Sequence, residues 1–217
     1  MARMPIAAKV ASDITTSSFI RQMFERGRQM KAEFGEDNVF DLSLGNPNAT
    51  PPDEFFAAMK AVAAEHVPAK HRYMPNAGFD DTRAAVAKFI ANEYRIELDG
   101  NGVILTTGAA GGLNVTLRAL LDPGDEVIVL APFFSEYRLY IEHAGGVMVV
   151  APTDDKFLPD FDALQRAITQ RTRAVIVNSP NNPTGAVYSD ATCRGLAQLL
   201  AKFDGPDQPI YLLTDDP

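Results

Sequence analysis

Five short apolar segments, separated by four longer stretches with helical periodicity, occupy the chain from residue 100 onward. Gly and Pro, as in DPGDE and HAGG, mark the breaks between them. Short β-branched runs that alternate with helical stretches are typical of βαβ units, which build parallel sheets. The candidate strands are Val103–Thr106, Glu126–Leu130, Val147–Val150, Ala174–Val177 and Ile210–Leu213.

These candidate strands are apolar along nearly their whole length and do not alternate with polar residues. That pattern is expected of strands that helices cover on both faces. We therefore predict an α/β fold with three layers, α/β/α, around a mostly parallel sheet. The flanking helices are predicted at Ala110–Leu121, Glu136–Ala144, Phe161–Ile168 and Asp190–Phe203.

The first hundred residues do not show this alternation of candidate strands and helices. Three helix-like segments, Phe19–Phe34, Asp53–Glu65 and Thr82–Tyr94, are joined by loops rich in Pro, Asn and Gly. We predict that residues 1–50 form an N-terminal arm and part of a small domain, and that residues 51–217 belong to a large domain. Because the sequence stops at LLTDDP, directly after a candidate strand, we expect the large domain to be incomplete and the chain to be the front part of a longer protein.

The composition argues against several classes of function. The formal net charge is -8 and the pI is about 4.9, without a clustered basic face, so we expect no nucleic-acid partner. The sequence has no run of 18 apolar residues, so no membrane span is expected. His66, His71 and His143 lack the spacing of metal ligands, so no metal is expected. The single cysteine, Cys193, favours a reducing compartment, and we predict a cytoplasmic protein.

The turn TTGAAGG, residues 106–112, leads from the first candidate strand into a helix. In open parallel sheets ligands bind beyond the carboxyl ends of the strands. Small residues let backbone N–H groups approach an anion, and the helix dipole favours its charge, so the turn suits a phosphate. A turn chosen only for packing is the alternative. A dinucleotide is disfavoured because the glycines do not follow G-x-G-x-x-G and the next strand ends in LAPFF, without an acidic residue for a ribose.

Three further strand ends carry residues suited to binding. Either phenylalanine at positions 133–134 could stack on an aromatic ring, although two core phenylalanines fit equally well. In SPNNPTG, the Asn182–Pro183 bond is a candidate cis bond that would turn the Asn182 amide inward. Asp215 ends an apolar strand, where a carboxylate needs a cation or several donors, and a protonated ring nitrogen on a ligand would serve. Asp216 fits an exposed loop position better.

Together these strand ends offer an anion-binding turn, an aromatic plate, an amide donor and a carboxylate. A phosphorylated heteroaromatic ring with a phenolic oxygen and a basic nitrogen matches all four. Pyridoxal phosphate is such a molecule, and we predict it as the cofactor.

The chain resembles the pyridoxal-phosphate-dependent class I/II aminotransferases of fold type I over nearly its whole length. SPNNPTG, with an aspartate at the end of the following strand, is a specific signal, whereas the small-residue turn alone is not. The resemblance implies the large cofactor-binding domain of that fold. The matching motifs are LSLGNPN, RYMPNAGFDDTRAAVA, ILTTGAAGGL, LLDPGDEVIVLAPFFSEY, SPNNPTG and LLTDDP.

The resemblance also implies a role for each matching residue. Gly45 would lie beside the substrate carboxylate. Tyr73 would reach the cofactor of the neighbouring subunit, which makes a homodimer with shared active sites the expected assembly; a packed loop tyrosine is the alternative. The cofactor-binding residues implied are Gly108, Ala109 and Ala110 at the phosphate, Phe134 on the ring, Asn182 at the phenolic oxygen, Asp215 at the ring nitrogen and Tyr73 at the partner's phosphate.

The activity implied is the transfer of an amino group between an amino acid and a 2-oxo acid. The Schiff-base lysine and the arginine for the α-carboxylate are expected beyond residue 217. Residues 1–217 alone should therefore bind the cofactor weakly and should not transaminate. Some bacterial aspartate aminotransferases have a lysine for the distal carboxylate at the position of Ala110, which weakens the case for aspartate as donor. The alternatives are another reaction on the same fold (β-lyase, decarboxylase or synthase) and a non-catalytic ligand-binding homologue.

Overall fold

The structure is a computed structural model that describes residues 6–7, 9–11, 19–42, 45, 49–68, 71–206 and 208–216. These residues fall into two compact units, one up to Tyr73 and one from Met74 onward. The predicted boundary between an N-terminal arm with part of a small domain (residues 1–50) and a large domain (residues 51–217) stays a prediction.

The first unit contains two of the predicted helices. The first helix approaches the following segment closely at Gly27, where a Cβ atom would lie 2.7 Å from the Asp41 carboxylate. That carboxylate also pairs with Lys31 at 3.3 Å, so the segment is held against the helix by charge. The elements are α1 (Phe19–Phe34), a 3₁₀ turn (Glu36–Asn38) and α2 (Asp53–Ala64).

The second unit contains the parallel sheet and its helices. The remaining predicted helices are confirmed, with ends that differ from the predictions by at most three residues. The elements in chain order are α3 (Asp80–Tyr94), a 3₁₀ turn (Gly100–Gly102), α4 (Gly108–Leu120), β1 (Glu126–Ala131), α5 (Tyr137–His143), β2 (Val147–Pro152), α6 (Phe161–Ala167), β3 (Thr172–Asn178), α7 (Asp190–Leu200) and β4 (Tyr211–Asp215).

The four strands lie in the order β2-β1-β3-β4, and every neighbouring pair is parallel. In the last pair, Ala174 lies opposite Tyr211 and Asn178 lies opposite Asp215. The strands therefore end at one common edge of the sheet. The prediction of a parallel sheet is confirmed.

Alternate residues of β1 pack on opposite faces of the sheet. Val127 and Val129 belong to one buried cluster, while Ile128 and Leu130 belong to another. Burial of such a side chain contributes about 1.5–3 kcal/mol, so both faces of the strand favour coverage by helices. The first cluster includes Leu117 of α4 and Ile141 of α5, and the second includes Leu164 of α6 and Leu196, Leu199 and Leu200 of α7. The predicted three layers are thereby confirmed.

One predicted strand is wrong. Residues 103–106 are not assigned to a strand, although Val103 has an extended backbone. Within the described part of the chain this segment exchanges no ladder of hydrogen bonds with a neighbour. Its backbone instead makes single bonds, from the Leu105 N–H to the Ala77 carbonyl (2.9 Å) and from Arg83 Nε to the Val103 carbonyl (2.8 Å). A strand requires a paired neighbour, which the apolar composition of a segment does not supply.

A buried glutamate closes the amino edge of the sheet. Glu126, at the start of β1, is only 4% exposed. One carboxylate oxygen accepts bonds from Arg171 Nε (3.0 Å) and Nη2 (2.6 Å), and the other accepts the Thr169 hydroxyl (2.6 Å). Burial opposes ionisation of Glu126, but the Thr169 hydroxyl and the Arg171 guanidinium outweigh it and lower its pKa.

Replacing Glu126 by Gln is expected to lower the free energy of unfolding by about 1–3 kcal/mol at pH 7, because Arg171 and Thr169 lose a charged, buried acceptor. Since folding lowers the pKa of Glu126, its contribution is present above the unfolded pKa, near 4.5, and is lost as the pH falls through the folded pKa. Urea unfolding at several pH values measures the difference between the variant and the unmodified chain. We expect that difference to shrink on acidification below about pH 5.

Glu97→Gln provides the control, since Glu97 is exposed and the same charge is removed. It should change the free energy of unfolding by no more than about 0.5 kcal/mol. Equal losses in the two variants, or a Glu126→Gln effect that grows on acidification, would contradict this role.

Candidate functional site

The chain reverses its direction of travel across the sheet between β1 and β3. After β1 it adds β2 on one side, and it then returns to place β3 on the other side of β1. Such a switch leaves a crevice at the carboxyl ends of the two strands, which is the usual ligand site of open parallel sheets. The loop after β1 carries Phe134 and the loop after β3 carries Asn182, so both predicted residues follow strands that border the crevice.

The Asp215 carboxylate, at the end of β4, is held by a buried tyrosine. The Tyr137 hydroxyl donates a hydrogen bond to Asp215 Oδ2 at 2.6 Å, and Tyr137 is 2% exposed. Burial and the neighbouring carboxylate raise the pKa of Tyr137 far above its usual range. The hydroxyl therefore stays protonated and acts as a permanent donor that fixes one oxygen of Asp215.

Phe134 is connected to Asp215 through the same tyrosine. Its ring meets the Tyr137 ring edge to face, with centroids 5.6 Å apart and planes at 85°. Phe134 is partly buried and packs, together with Phe133, against the core cluster that contains Val127. Each ring thus has a packing role, and the partly exposed Phe134 retains surface for a further contact.

A cavity of about 330 Å³ brings the predicted phosphate turn and the predicted carboxylate together. Ala109 lines it from the start of α4, and Asp215 lines it from the end of β4. The neighbouring residue Asp216 also borders the cavity and is exposed, as its sequence position suggested. The remaining lining residues are Gly112, Leu113, Thr116, Leu212, Leu213 and Thr214.

The predicted phosphate turn opens α4 with uncapped backbone donors. Thr107 precedes the helix and makes no side-chain capping bond, and the first N–H groups of a helix have no partner within it. Gly108 adopts a φ of +68°, and no atom lies within 4 Å of the position of a Cβ there. The N–H groups of Ala109 and Ala110 consequently stand at an open helix start, where the dipole favours an anion.

The SPNNPTG loop is tied to itself and to the sheet. The Asn182–Pro183 bond is cis. The side chain of Asn178 bridges the loop and β4, since its Oδ1 accepts the Asn182 N–H (2.5 Å) and its Nδ2 donates to the Asp215 carbonyl (2.5 Å). The Asn182 side-chain amide itself makes no hydrogen bond to any residue within the described ranges, and it remains available to a ligand.

Two predicted site residues belong to the other compact unit. Gly45 and Tyr73 both lie before Met74, and both are exposed there. Residues 43–44 and 46–48 of the LSLGNPN motif lie outside the described residues. The roles of Gly45 and Tyr73 stay predictions.

Tyr137 and Asn178 were not predicted as site residues. Asn178 carried a usable signal, because it is a polar side chain that directly continues the apolar run AVIV. Tyr137 carried none, since its partner Asp215 lies 78 positions away in the chain.

The described residues give no indication of a metal site or a membrane span. They contain no group of three or more His, Cys, Asp or Glu side chains placed to hold a metal ion. None of the described helices combines the length and the apolar character that crossing a membrane requires.

We expect Gly108→Ala to lower the free energy of unfolding of the cofactor-free chain by about 1–2 kcal/mol, measured by urea unfolding. Space is not limiting at Gly108, so the cost arises from its left-handed backbone alone.

Gly111→Ala is the matched control in the same turn. Its Cβ would meet the Thr106 Cβ at an ordinary 3.5 Å, and its φ is not left-handed. Alanine there should be neutral or should stabilise the helix by up to about 1 kcal/mol. The same sign and size of effect in both variants would contradict the conformation described for the turn.

Known proteins match this chain over most of its length. The sequence profile of the aminotransferase class I and II family covers residues 37–206. The probable aspartate/prephenate aminotransferase of Thermus aquaticus is 40% identical over 177 residues, which are 81% of this chain and 44% of the relative. The aspartate aminotransferase of Pyrococcus horikoshii is 33% identical over 202 residues, which are 92% of this chain and 48% of the relative.

Solved structures agree with the sequence comparison. An aminotransferase from Eubacterium rectale has a TM-score of 0.92 at 36% identity, covering 99% of this chain and 55% of its own. The Thermus thermophilus aspartate aminotransferase, solved with maleate, has a TM-score of 0.82 at 33% identity, and the match covers 99% of this chain and 53% of the aminotransferase chain. The chain thus spans about half the length of these relatives. It belongs to the aminotransferase class I and II family.

Proposed function

We propose that the protein binds pyridoxal phosphate at the carboxyl edge of the sheet and transfers an amino group between an amino acid and a 2-oxo acid. The observation that carries the proposal is the Asp215 carboxylate, which Tyr137 holds and which lines one cavity with Ala109 of the phosphate turn. Family membership supports it, since aminotransferases of this class use pyridoxal phosphate.

The residues fit this cofactor by charge and by donor chemistry. The uncapped N–H groups at Ala109 and Ala110, with Gly108, would hold the phosphate. Phe134 would contact the ring face, and the Asn182 amide would donate to the phenolic oxygen. When bound, pyridoxal phosphate supplies a protonated ring that takes up electrons from the substrate Cα.

Asp215 has the most specific part in the proposal. An ionised carboxylate opposite the ring nitrogen would keep that nitrogen protonated, because opposite charges at contact distance favour each other's charged form. The Tyr137 hydroxyl already occupies Oδ2, so it orients the carboxylate and leaves Oδ1 for the ring N–H.

The rest of the proposal concerns the assembled protein. Gly45 would lie beside the substrate carboxylate, and Tyr73 would reach the cofactor phosphate of a second subunit in a homodimer. A cytoplasmic location is part of the same proposal, since Cys193 is exposed as a free thiol.

The amino donor stays open. The names of the relatives make aspartate the first donor to test. Ala110 offers only a methyl group at the helix start and supplies no cation for a second carboxylate, so a donor with an uncharged side chain is the second choice.

The activity test uses the protein as its gene encodes it, because the resemblance assigns the catalytic lysine to a position beyond residue 217. The protein is loaded with pyridoxal phosphate and supplied with a panel of amino acids and 2-oxo acids. We expect equimolar loss of one amino acid and gain of another. Release of ammonia or carbon dioxide in place of a new amino acid would identify a different reaction, and failure to bind the cofactor would refute the proposal.

Asp215→Asn is expected to weaken the binding of pyridoxal phosphate, measured by equilibrium dialysis, by about ten- to a hundredfold. Asn keeps the size of the side chain and an acceptor for Tyr137 but loses the charge, and a hydrogen bond between charged groups contributes about 1.5–3 kcal/mol. Asp155→Asn removes the same charge at an exposed position that does not line the cavity, and should change the affinity less than about threefold. Similar losses in both variants would indicate a general charge effect and contradict the specific role of Asp215.

A further inference from the structure

Asn178 is a polar residue at the end of an otherwise apolar, buried strand. It is 7% exposed, and it follows Val175, Ile176 and Val177 in the core. Burying an amide is unfavourable unless its donor and its acceptor are both satisfied. Here both are satisfied, and the two partners belong to different segments.

The two partners are the backbones of two candidate cofactor-binding residues. Asn178 Oδ1 accepts the backbone N–H of Asn182, four positions along the loop, and Nδ2 donates to the backbone carbonyl of Asp215 on β4. The strand register already places Asn178 directly opposite Asp215, so the side chain extends the pairing beyond the last ladder bond. One amide thus links the loop after β3 to the end of β4.

We propose that Asn178 is a positioning residue that sets the spacing between the Asn182 amide and the Asp215 carboxylate. The inference rests on the proposed function, since the spacing matters for a ring that is contacted by both. The Asn178 amide does this in one side chain, because the loop presents a donor, which Oδ1 accepts, and β4 presents an acceptor, to which Nδ2 donates. Aspartate lacks the donor, and aliphatic residues lack both groups.

The proposal predicts an effect on ring recognition that the phosphate turn does not share. Asn178 contacts neither α4 nor the turn at Gly108 among its hydrogen-bond partners. Loss of the amide should therefore weaken contacts to the ring and leave contacts to the phosphate unchanged. A residue that only stabilises the fold would weaken both equally.

The first measurement follows individual amide protons in the cofactor-free chain by hydrogen exchange. In Asn178→Ala, we expect the Asn182 N–H to exchange at least about tenfold faster than in the unmodified chain, because it loses its acceptor. In Asn178→Asp the acceptor remains, so the Asn182 N–H should stay protected. The amides of Val175 and Ile176, which belong to the sheet ladder, should change little in either variant.

The second measurement compares two ligands by equilibrium dialysis. Asn178→Ala should bind pyridoxal phosphate at least about tenfold more weakly, while the inhibition constant of inorganic phosphate as a competitor changes less than about twofold. Asn76→Ala, at an exposed position in the same unit, is the matched control for Asn178→Ala and should alter neither constant.

The outcomes separate this inference from the proposed function. If the unmodified protein, as its gene encodes it, does not bind pyridoxal phosphate, the proposed function fails, and the exchange rate of the Asn182 amide still decides whether Asn178 fixes the loop. Unchanged protection of that amide in a folded Asn178→Ala variant would overturn the inference. So would equal losses of affinity for both ligands, or unfolding of both Asn178 variants.

Discussion

The parallel pairing of β3 with β4 is the constraint on which the site depends. Its register sets Asn178 opposite Asp215, and the carboxyl ends of all four strands meet at one edge. Residues that are far apart in the sequence are brought together by this pairing. The clearest case is the bond between Tyr137 and Asp215, which spans 78 positions and joins the helix after β1 to the end of β4.

The two edges of the sheet differ in how their polar groups are hydrogen-bonded. At the amino edge, both oxygens of the Glu126 carboxylate are satisfied by Arg171 and Thr169, which favours stability. At the carboxyl edge, the helix start at Gly108 is uncapped, and the Asn182 side chain makes no bond within the described part of the chain. The donors at this carboxyl edge are exposed, so solvent satisfies them until a bound anion and ring take its place.

The sequence predicted most of the fold because its signals are local. Short apolar runs separated by helical stretches predicted the strands β1 to β4 correctly. The run at residues 103–106 has the same apolar composition, yet it is not a strand. Whether a segment pairs depends on its neighbour in space, and that neighbour is not encoded nearby in the sequence.

The same distinction applies to the site. Asp215 and the turn at Gly108 could be proposed individually, because each breaks a local pattern. Their supporting residues could not be identified in the same way, since Tyr137 is ordinary for a helix and its importance comes from a distant partner. Asn178 is an intermediate case. The sequence shows a polar residue at the end of an apolar run, but it does not show the two hydrogen-bond partners of that residue.

The central claim is that Asp215 pairs with the ring nitrogen of pyridoxal phosphate. A crystal structure of the protein with this cofactor tests it most directly. We predict a distance of about 2.7–2.9 Å between the ring nitrogen and an Asp215 carboxylate oxygen, with the phosphate at the start of α4. A ring that binds elsewhere, or an Asp215 carboxylate that faces solvent in the loaded protein, would contradict the account.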